Sequence, residues 1–457
     1  MNFFLFFKQL VSRNQLVVNI VCFAVFCEII LQYKYNPIWN FYPDHVDYLS
    51  QSSFSLSSIS FYSPKPSWGF SPRPFTVPLF YKIMFGDQLS IVWMQKIMHC
   101  LCALSFITAI SILIKNKVVC FLAIPVLYYF FTWWPIVGFT ENLISESLSM
   151  SFLFLWLATI IYFIHYKNNF SFICLLIVSV LFSFTRDTWP YIILFSNVLL
   201  FIYFSKSVIL KKYLVVSFVF SIGLFFIQSY TAIIGERYKI PIYNVLAVRI
   251  SKNTEYIKWF QEKGMPLGDS LSINFGRLDL NDDKDVQTLY DSYYNKTYIP
   301  LHNWIVEHGK NTYMFFMLTH PAYFFLDDET DLQKERIFAI YDLNYTPKSS
   351  NLFLDNNTYR DTFSLITLFS TLLILLGFSI VLKYKNTYVF FPFFVLILFT
   401  LNVYLSYNAD TLEVERHLFI TQIMIQLIIY TTLIFIVDAV YSRMAFYFTK
   451  KKSKIES

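Results

Sequence analysis

The chain has 457 residues, of which 56% are hydrophobic and 14% are charged, and its mean hydropathy is +0.49. Because a soluble protein carries about a quarter charged residues, this composition excludes an ordinary soluble domain and predicts a polytopic membrane protein. The net charge of +6 is modest for this length, and we expect no nucleic-acid partner.

Hydropathy predicts about ten membrane spans, since a helix needs roughly 20 apolar residues to cross a bilayer. In chain order they are 15–33, 89–114, 118–136, 143–164, 170–185, 190–205, 213–233, 361–382, 387–406 and 417–441. The runs at 118–136, 170–185 and 190–205 are short or contain proline, so the count could move by one or two. A shorter apolar piece at 75–86 cannot cross and is predicted to lie at the interface.

Basic residues concentrate on one side of this predicted bundle. If the N-terminus is cytoplasmic, the inner connections carry lysines such as Lys115, Lys211 and Lys383, and almost no acid, while the outer connections carry the acids. The positive-inside rule therefore predicts that both termini lie inside. The first apolar run lacks a small-residue cleavage site after it, so we expect it to be a retained anchor.

One long polar segment interrupts the short connections. Residues 1–233 form a first transmembrane module whose first outer loop is 34–88, and residues 234–360 are predicted to form an outer, mainly helical domain because TEYIKWFQEKG and LHNWIVEHGKNTYMFFMLTH have helical spacing. Residues 361–441 then supply the last helices, and 442–457 form a basic cytoplasmic tail. The predicted fold class is an all-α polytopic membrane protein with about ten transmembrane helices.

The six cysteines all lie in apolar segments: Cys22, Cys27, Cys100, Cys102, Cys120 and Cys174. This placement argues against a disulfide scaffold and against a metal site built on thiolates.

Ionisable residues gather at the outer ends of the predicted spans. They are Asp44, Asp47, Arg73, Glu141, Glu146, Arg186, Asp187, Glu413, Glu415, Arg416 and His417. A charge at mid-bilayer costs about 2.5–3.5 kcal/mol on insertion scales, and less near the interface. The charges of any one connection could equally be a solvated loop end. Taken together, the charges of all these connections favour a shared polar cavity. Arginine suits phosphate, and a carboxylate suits proton abstraction.

The order of these motifs resembles the GT-C membrane glycosyltransferases, which use polyprenyl- or dolichyl-phosphate sugars. The resemblance is carried by Asp44 with Tyr48 four residues later, by SPRPFTVPLFYK (71–82), TENLISESLSMSFLFL (140–155), TRDTW (185–189) and ERHLFI (415–420). It covers most of the first 190 residues and the last 50, and the segment 234–360 matches nothing specific.

The resemblance implies an inverting transfer of a sugar from a lipid phosphate to an acceptor hydroxyl. It assigns the general base to Asp44, gives Asp47 to acceptor orientation or a metal, and places the donor phosphate near Arg186 and Arg416, with Arg73 as a third cation. The other candidates for substrate binding are Tyr48, Glu141, Glu146, Asp187, Glu415 and His417. Because the two acids in Asp44-His45-Val46-Asp47 are separated, the identity of the base and the use of Mg²⁺ or Mn²⁺ stay open.

Several of these residues also allow a purely structural interpretation. Glu141 also reads as a solvated loop acid, and Arg186 also reads as the ion-pair partner of Asp187 or Glu146. Arg416 has Glu413 and Glu415 close in sequence, and His417 reads as a helix cap.

Three other functions remain as alternatives: a polysaccharide polymerase, a flippase or transporter of lipid-linked saccharide, and a membrane scaffold. The composition is rich in Phe, Ile and Lys and poor in Gly and Ala, which indicates an AT-rich genome and fits a bacterial or phage-borne enzyme of surface-polysaccharide or lipopolysaccharide assembly or modification. We expect it in the bacterial inner membrane, with its site facing the periplasm or exterior. The expected partners are the bilayer, a polyprenyl-phosphate sugar, and a glycan, lipid-linked glycan or protein acceptor.

Overall fold

The computed structural model describes residues 3–32, 48–50, 52, 74–266, 283–320, 370, 373–374, 376–377, 387–409 and 414–456. Throughout these ranges the regular structure is helical and no strand occurs. The predicted all-α class is therefore confirmed for the part of the chain that the structure describes.

The described α-helices follow one another in this order: α1 (Phe3–Gln32), α2 (Thr76–Ile83), α3 (Gln88–Leu113), α4 (Lys117–Phe131), α5 (Trp134–Phe139), α6 (Ser145–Tyr166), α7 (Asn169–Ser183), α8 (Trp189–Tyr203), α9 (Val208–Ile234), α10 (Lys239–Val248), α11 (Thr254–Glu262), α12 (Asp283–Tyr294), α13 (Ile299–Trp304), α14 (Lys310–Thr319), α15 (Thr387–Ala409) and α16 (Val414–Glu456). A 3₁₀ turn (Ile250–Lys252) precedes α11, and a π-helical turn (Ile305–Gly309) joins α13 to α14.

Five of the described helices are long and apolar enough to cross a membrane. They are α3, α6 and the segments Gln15–Gln32 of α1, Ile209–Ile234 of α9 and Ile423–Met444 of α16. Helices α4, α7 and α8 have 15 residues each, and such a helix is about 22 Å long against about 30 Å of hydrocarbon. The count of ten spans stays a prediction, and most of the predicted span at 361–382 lies outside the described residues.

Helix α6 lies at the centre of the apolar bundle. In its most apolar stretch of 18 residues, 83% is buried, whereas only 11% of the corresponding stretch of α1 is buried. It packs against α3 and α7, while α1 packs on α4, α8 on α9, and α15 on α16. Many large apolar side chains on α1 and α9 are exposed, including Leu16, Ile20 and Val219. Such surfaces are expected of helices that face lipid.

The polar segment after α9 contains a helical unit with its own hydrophobic core. We call the described residues 239–266 and 283–320 the inter-span unit. Its core includes Tyr243, Leu246, Phe260 and Phe316, and it is a separate cluster from the core of the bundle. The predicted helical spacing in this segment is thus confirmed, whereas its placement outside the membrane stays a prediction.

Connections between neighbouring helices form two ends of the bundle. At one end, Asp438 of α16 accepts hydrogen bonds from the backbone N–H groups of Lys115 (3.1 Å) and Asn116 (2.8 Å) in the turn between α3 and α4. The opposite end holds the first turns of α6 and α8 and the last turns of α7 and α9, and we call it the charged end. Helix α16 continues unbroken past residue 442, where the predicted basic tail begins.

Candidate functional site

The short helix α2 is joined to the turn between α7 and α8. The backbone N–H of Thr76 donates a hydrogen bond of 2.9 Å to the carbonyl oxygen of Phe184. Pro74 and Thr76 are both buried. This contact brings the end of the SPRPFT segment next to the TRDTW turn, although more than 100 residues separate them in sequence.

Glu146 and Arg186 form an ion pair at the charged end. The Nη2 atom of Arg186 lies 3.7 Å from Oε1 of Glu146, and the two side chains are 11% and 1% exposed. Oε2 of Glu146 accepts a hydrogen bond of 3.0 Å from the Ser145 hydroxyl. Because Glu146 lies in the first turn of α6, the helix dipole also favours its negative charge.

Two tyrosines lie beside this ion pair. The rings of Tyr48 and Tyr81 meet edge to face with centroids 6.2 Å apart, and both side chains are buried. Burial raises the pKa of Tyr81 well above its usual value, and the nearby Tyr48 and Glu146 raise it further. The Tyr81 hydroxyl has no hydrogen-bond partner within the described residues. It is therefore a neutral donor that a ligand could satisfy.

Glu141 forms a second buried ion pair, with Lys96 of α3. The Nζ atom of Lys96 contacts Oε1 of Glu141, and each side chain is 5% exposed. Gln95, the neighbour of Lys96, donates to the carbonyl oxygens of Thr140 (2.9 Å) and Asn142 (3.0 Å). The interpretation of Glu141 as a solvated loop acid is therefore wrong, because α3 binds this loop through both a charge and an amide.

Asp187 forms the third ion pair, with Arg237. The Nε atom of Arg237 lies 3.2 Å from Oδ1 and 3.1 Å from Oδ2, and Nη2 lies 2.8 Å from Oδ1. Gln228 of α9 also donates to Oδ1. Glu236 adopts a positive φ of 57°, which turns the chain so that Arg237 folds back onto Thr231 in the last turn of α9.

The inter-span unit contacts this end of the bundle. Burial lowers the pKa of Lys310 at the start of α14, and the negative charge of Asp187 offsets part of this shift. Near the other end of α14, the carbonyl oxygen of Met317 accepts a hydrogen bond of 3.1 Å from the Tyr404 hydroxyl of α15. Helix α14 therefore contacts the bundle near its C-terminal end, and its first residue lies within electrostatic range of Asp187.

The structure thus brings five predicted site residues, Tyr48, Glu141, Glu146, Arg186 and Asp187, to one end of the bundle. Asp44, Asp47 and Arg73 lie outside the described residues, as does Glu413. Glu415, Arg416 and His417 belong to the first turn of α16, but their side chains are outside the described part of the structure. No described group of three or more His, Cys, Asp or Glu side chains could hold a metal ion.

Sequence reasoning missed the cations that pair with two of these acids. Lys96 lies eight residues into α3, about 12 Å from its start. A lysine within an apolar helix is itself a signal, because such a charge requires a partner. Arg237 carried a weaker signal, since it follows the end of α9 by three residues and looks like an ordinary solvated basic residue.

Comparison with known protein families finds no family that matches this chain, and comparison with curated proteins finds no match. Functional inference therefore rests on the residues themselves. Acids and cations meet at one end of an apolar bundle, beside a buried phenol whose hydroxyl has no hydrogen-bond partner within the described residues. Such a site can bind an anion through Arg186 and can hold a hydroxyl by hydrogen bonds from or to Tyr81 and Glu146.

Proposed function

We propose that this protein is a membrane glycosyltransferase that moves a sugar from a polyprenyl phosphate to an acceptor hydroxyl. The proposal is carried by the convergence at the charged end: Tyr48, the helix that follows SPRPF, Glu146 and Arg186 come from four separate parts of the sequence and meet in the structure. These are the motifs on which the resemblance to the GT-C enzymes rests.

The position of the site suits a substrate that is partly lipid. Glu146 is buried and the Arg186 side chain is only 11% exposed, beside apolar helices rather than in a soluble domain. A lipid phosphate presents its charge at the level where apolar chains meet water, and a guanidinium there can bind it with two parallel hydrogen bonds. The acceptor would then approach from the inter-span unit, which contacts the same end through Lys310 and Tyr404.

In the proposed reaction, the oxygen of the acceptor hydroxyl attacks the anomeric carbon of the sugar. The bond between that carbon and the phosphate oxygen breaks, and the phosphate leaves with the bonding electron pair. Asp44 takes the hydroxyl proton, and Arg186 stabilises the charge that grows on the phosphate. A single displacement inverts the configuration at the anomeric carbon.

Glu146 sets a condition on donor binding. Its carboxylate already lies 3.7 Å from Arg186, so an incoming phosphate must share the guanidinium with an existing anion. The Tyr81 phenol lies near Glu146, and its hydroxyl has no hydrogen-bond partner within the described residues. We therefore assign Arg186 to phosphate binding, Glu146 to holding that arginine in place, and Tyr81 to a hydrogen bond with the bound donor.

The test is turnover of short-chain polyprenyl-phosphate sugars by protein in lipid nanodiscs, with release of free lipid phosphate as the readout. We expect sugar-dependent release that falls about 10²- to 10⁴-fold in Asp44→Asn, the range of a general base, while donor binding is kept. Arg186→Lys keeps the positive charge beside Glu146 but loses the fork, so it should weaken donor binding about tenfold or more.

The matched control is Glu28→Gln, because Glu28 is also an acid near the end of an apolar helix, but is exposed on α1 and contacts Gln32. This variant should turn over like the wild type. Absence of donor binding for every sugar tested would overturn the proposal and favour a different role, such as transport. Release that survives in Asp44→Asn would keep the reaction and move the base to Asp47 or Glu146.

A further inference from the structure

Helix α14 is apolar on two opposite sides. Tyr313 and Phe316 are buried in the core of the inter-span unit. On the other side, Met314, Phe315 and Leu318 are 40%, 51% and 78% exposed. A helix that is apolar all round normally has both sides covered, but the rest of the inter-span unit covers this second side of α14 only in part.

The neighbourhood of this exposed side has the chemistry of a membrane interface. Trp259 of α11 stacks on Phe315 with ring centroids 6.1 Å apart and an angle of 27° between the planes. The ammonium group of Lys263 lies 5.7 Å from the centre of the Trp259 ring and 5.9 Å from that of Phe315. Tryptophan and lysine next to aliphatic side chains are typical of elements that sit between hydrocarbon and headgroups.

Interactions with the bundle indicate where α14 lies along the length of the bundle helices. Lys310 at its start lies near Asp187, which precedes the first turn of α8, and Met317 near its end bonds to Tyr404, five residues before the end of α15. Both anchors belong to the ends of apolar helices, where a bilayer ends and water begins. Because Met317 is hydrogen-bonded to α15 there and Lys310 lies within electrostatic range of Asp187, we place α14 along this end of the bundle.

We propose that Met314, Phe315 and Leu318, with Trp259 and Lys263, form a surface that inserts into the interfacial layer of the bilayer, with Lys263 facing anionic headgroups. The inter-span unit would then rest on the membrane beside the charged end rather than stand free in water. A saccharide acceptor fits this surface less well, because the exposed side chains of α14 on this side are all apolar and offer no hydrogen-bonding groups.

The experiment replaces Leu318 in the full chain with a diazirine-bearing leucine analogue, reconstitutes the protein in vesicles of phosphatidylethanolamine and phosphatidylglycerol, and identifies the products of illumination by mass spectrometry. The matched control carries the same analogue in place of Thr288, which is exposed on α12 of the same unit. Both positions are exposed, so neither substitution disturbs a core. We expect lipid adducts at 318 at least severalfold more abundant than at 288, where water adducts should dominate.

Each other product has a definite meaning. Mainly water adducts at 318, as at 288, would show that the surface faces water and would overturn the proposal. Cross-links from 318 to residues 321–369 of the same chain would overturn it as well, because the chain itself would be the cover. Lys263→Glu should lower the lipid-adduct yield at 318 severalfold, and an unchanged yield would overturn the role of anionic headgroups.

Discussion

Removing the ammonium group of Lys96 should destabilise the folded protein strongly. Both members of the pair with Glu141 are only 5% exposed, and removal of one partner from a buried ion pair costs about 3–5 kcal/mol. Lys96→Met keeps the unbranched side chain and removes only the charge and its hydrogen bonds. We expect this variant to lower the free energy of unfolding by an amount in that range.

Protonation of Glu141 limits this cost once Lys96 is gone. A glutamate in water ionises near pH 4.3, so a neutral carboxyl at pH 7 costs about 3.7 kcal/mol and at pH 5 about 1 kcal/mol. The destabilisation of Lys96→Met should therefore shrink when the pH falls from 7 to 5. A loss caused only by poorer packing would not depend on pH.

The assay is unfolding by sodium dodecyl sulfate in mixed micelles, followed by tryptophan fluorescence at both pH values. The double variant Lys96→Met/Glu141→Met should lie within about 1 kcal/mol of the wild type, since apolar side chains of similar size can replace a buried pair at little cost. Lys211→Met, at an exposed lysine of α9, is the control and should change stability by less than about 0.5 kcal/mol. A loss in Lys96→Met no larger than in Lys211→Met would refute the reasoning.

Two further predictions test the packing of the bundle and of the inter-span unit. Cys27 of α1 and Cys100 of α3 lie close to each other. Oxidation should therefore link α1 to α3 and speed migration on a non-reducing gel, and Cys27→Ser should abolish that shift. His302 stacks on Tyr243 with centroids 5.3 Å apart, and burial, followed by the charge of Lys296, lowers the pKa of His302. Below pH 6.5 the imidazole of His302 is protonated more readily in the unfolded chain than in the folded one, so the stability of the protein should fall on acidification. The unfolding midpoint of His302→Gln should depend less on pH.

The positions of the helices could be predicted well because length and apolarity are local properties of the sequence. Nine predicted spans coincide with helices in the described ranges, and several starts carry a recognisable capping side chain, such as Asp87 before α3 and Asn168 before α7. The short helices α4 and α7 show what hydropathy alone does not predict. Hydropathy finds an apolar run, but whether 15 residues cross a bilayer depends on neighbours and local thickness.

The site could be predicted only in part, because ion pairing depends on which helices become neighbours. Glu146 and Arg186 were both identified from their positions at the ends of apolar runs, and Glu146 was one of two structural partners considered for Arg186. No local pattern says that Lys96 of α3 reaches Glu141 across 45 residues of sequence, or that Arg237 turns back to Asp187. Such pairs become visible only when the packing of the helices is known.

The three ion pairs at the charged end also explain how an apolar chain can hold so many charges. Each acid, Glu141, Glu146 and Asp187, meets a cation that a different segment supplies. Glu141 and Glu146 are buried, so either acid left alone there would cost several kcal/mol or would take up a proton. The side chain of Asp187 is 45% exposed and depends less on its partner. The segments that carry the two buried acids are therefore stable at this end only when their partner cations are in place. An anion that reaches Arg186 must displace or share one of these pairs, so binding there should be selective for a ligand that brings a strong negative charge of its own, such as a phosphate.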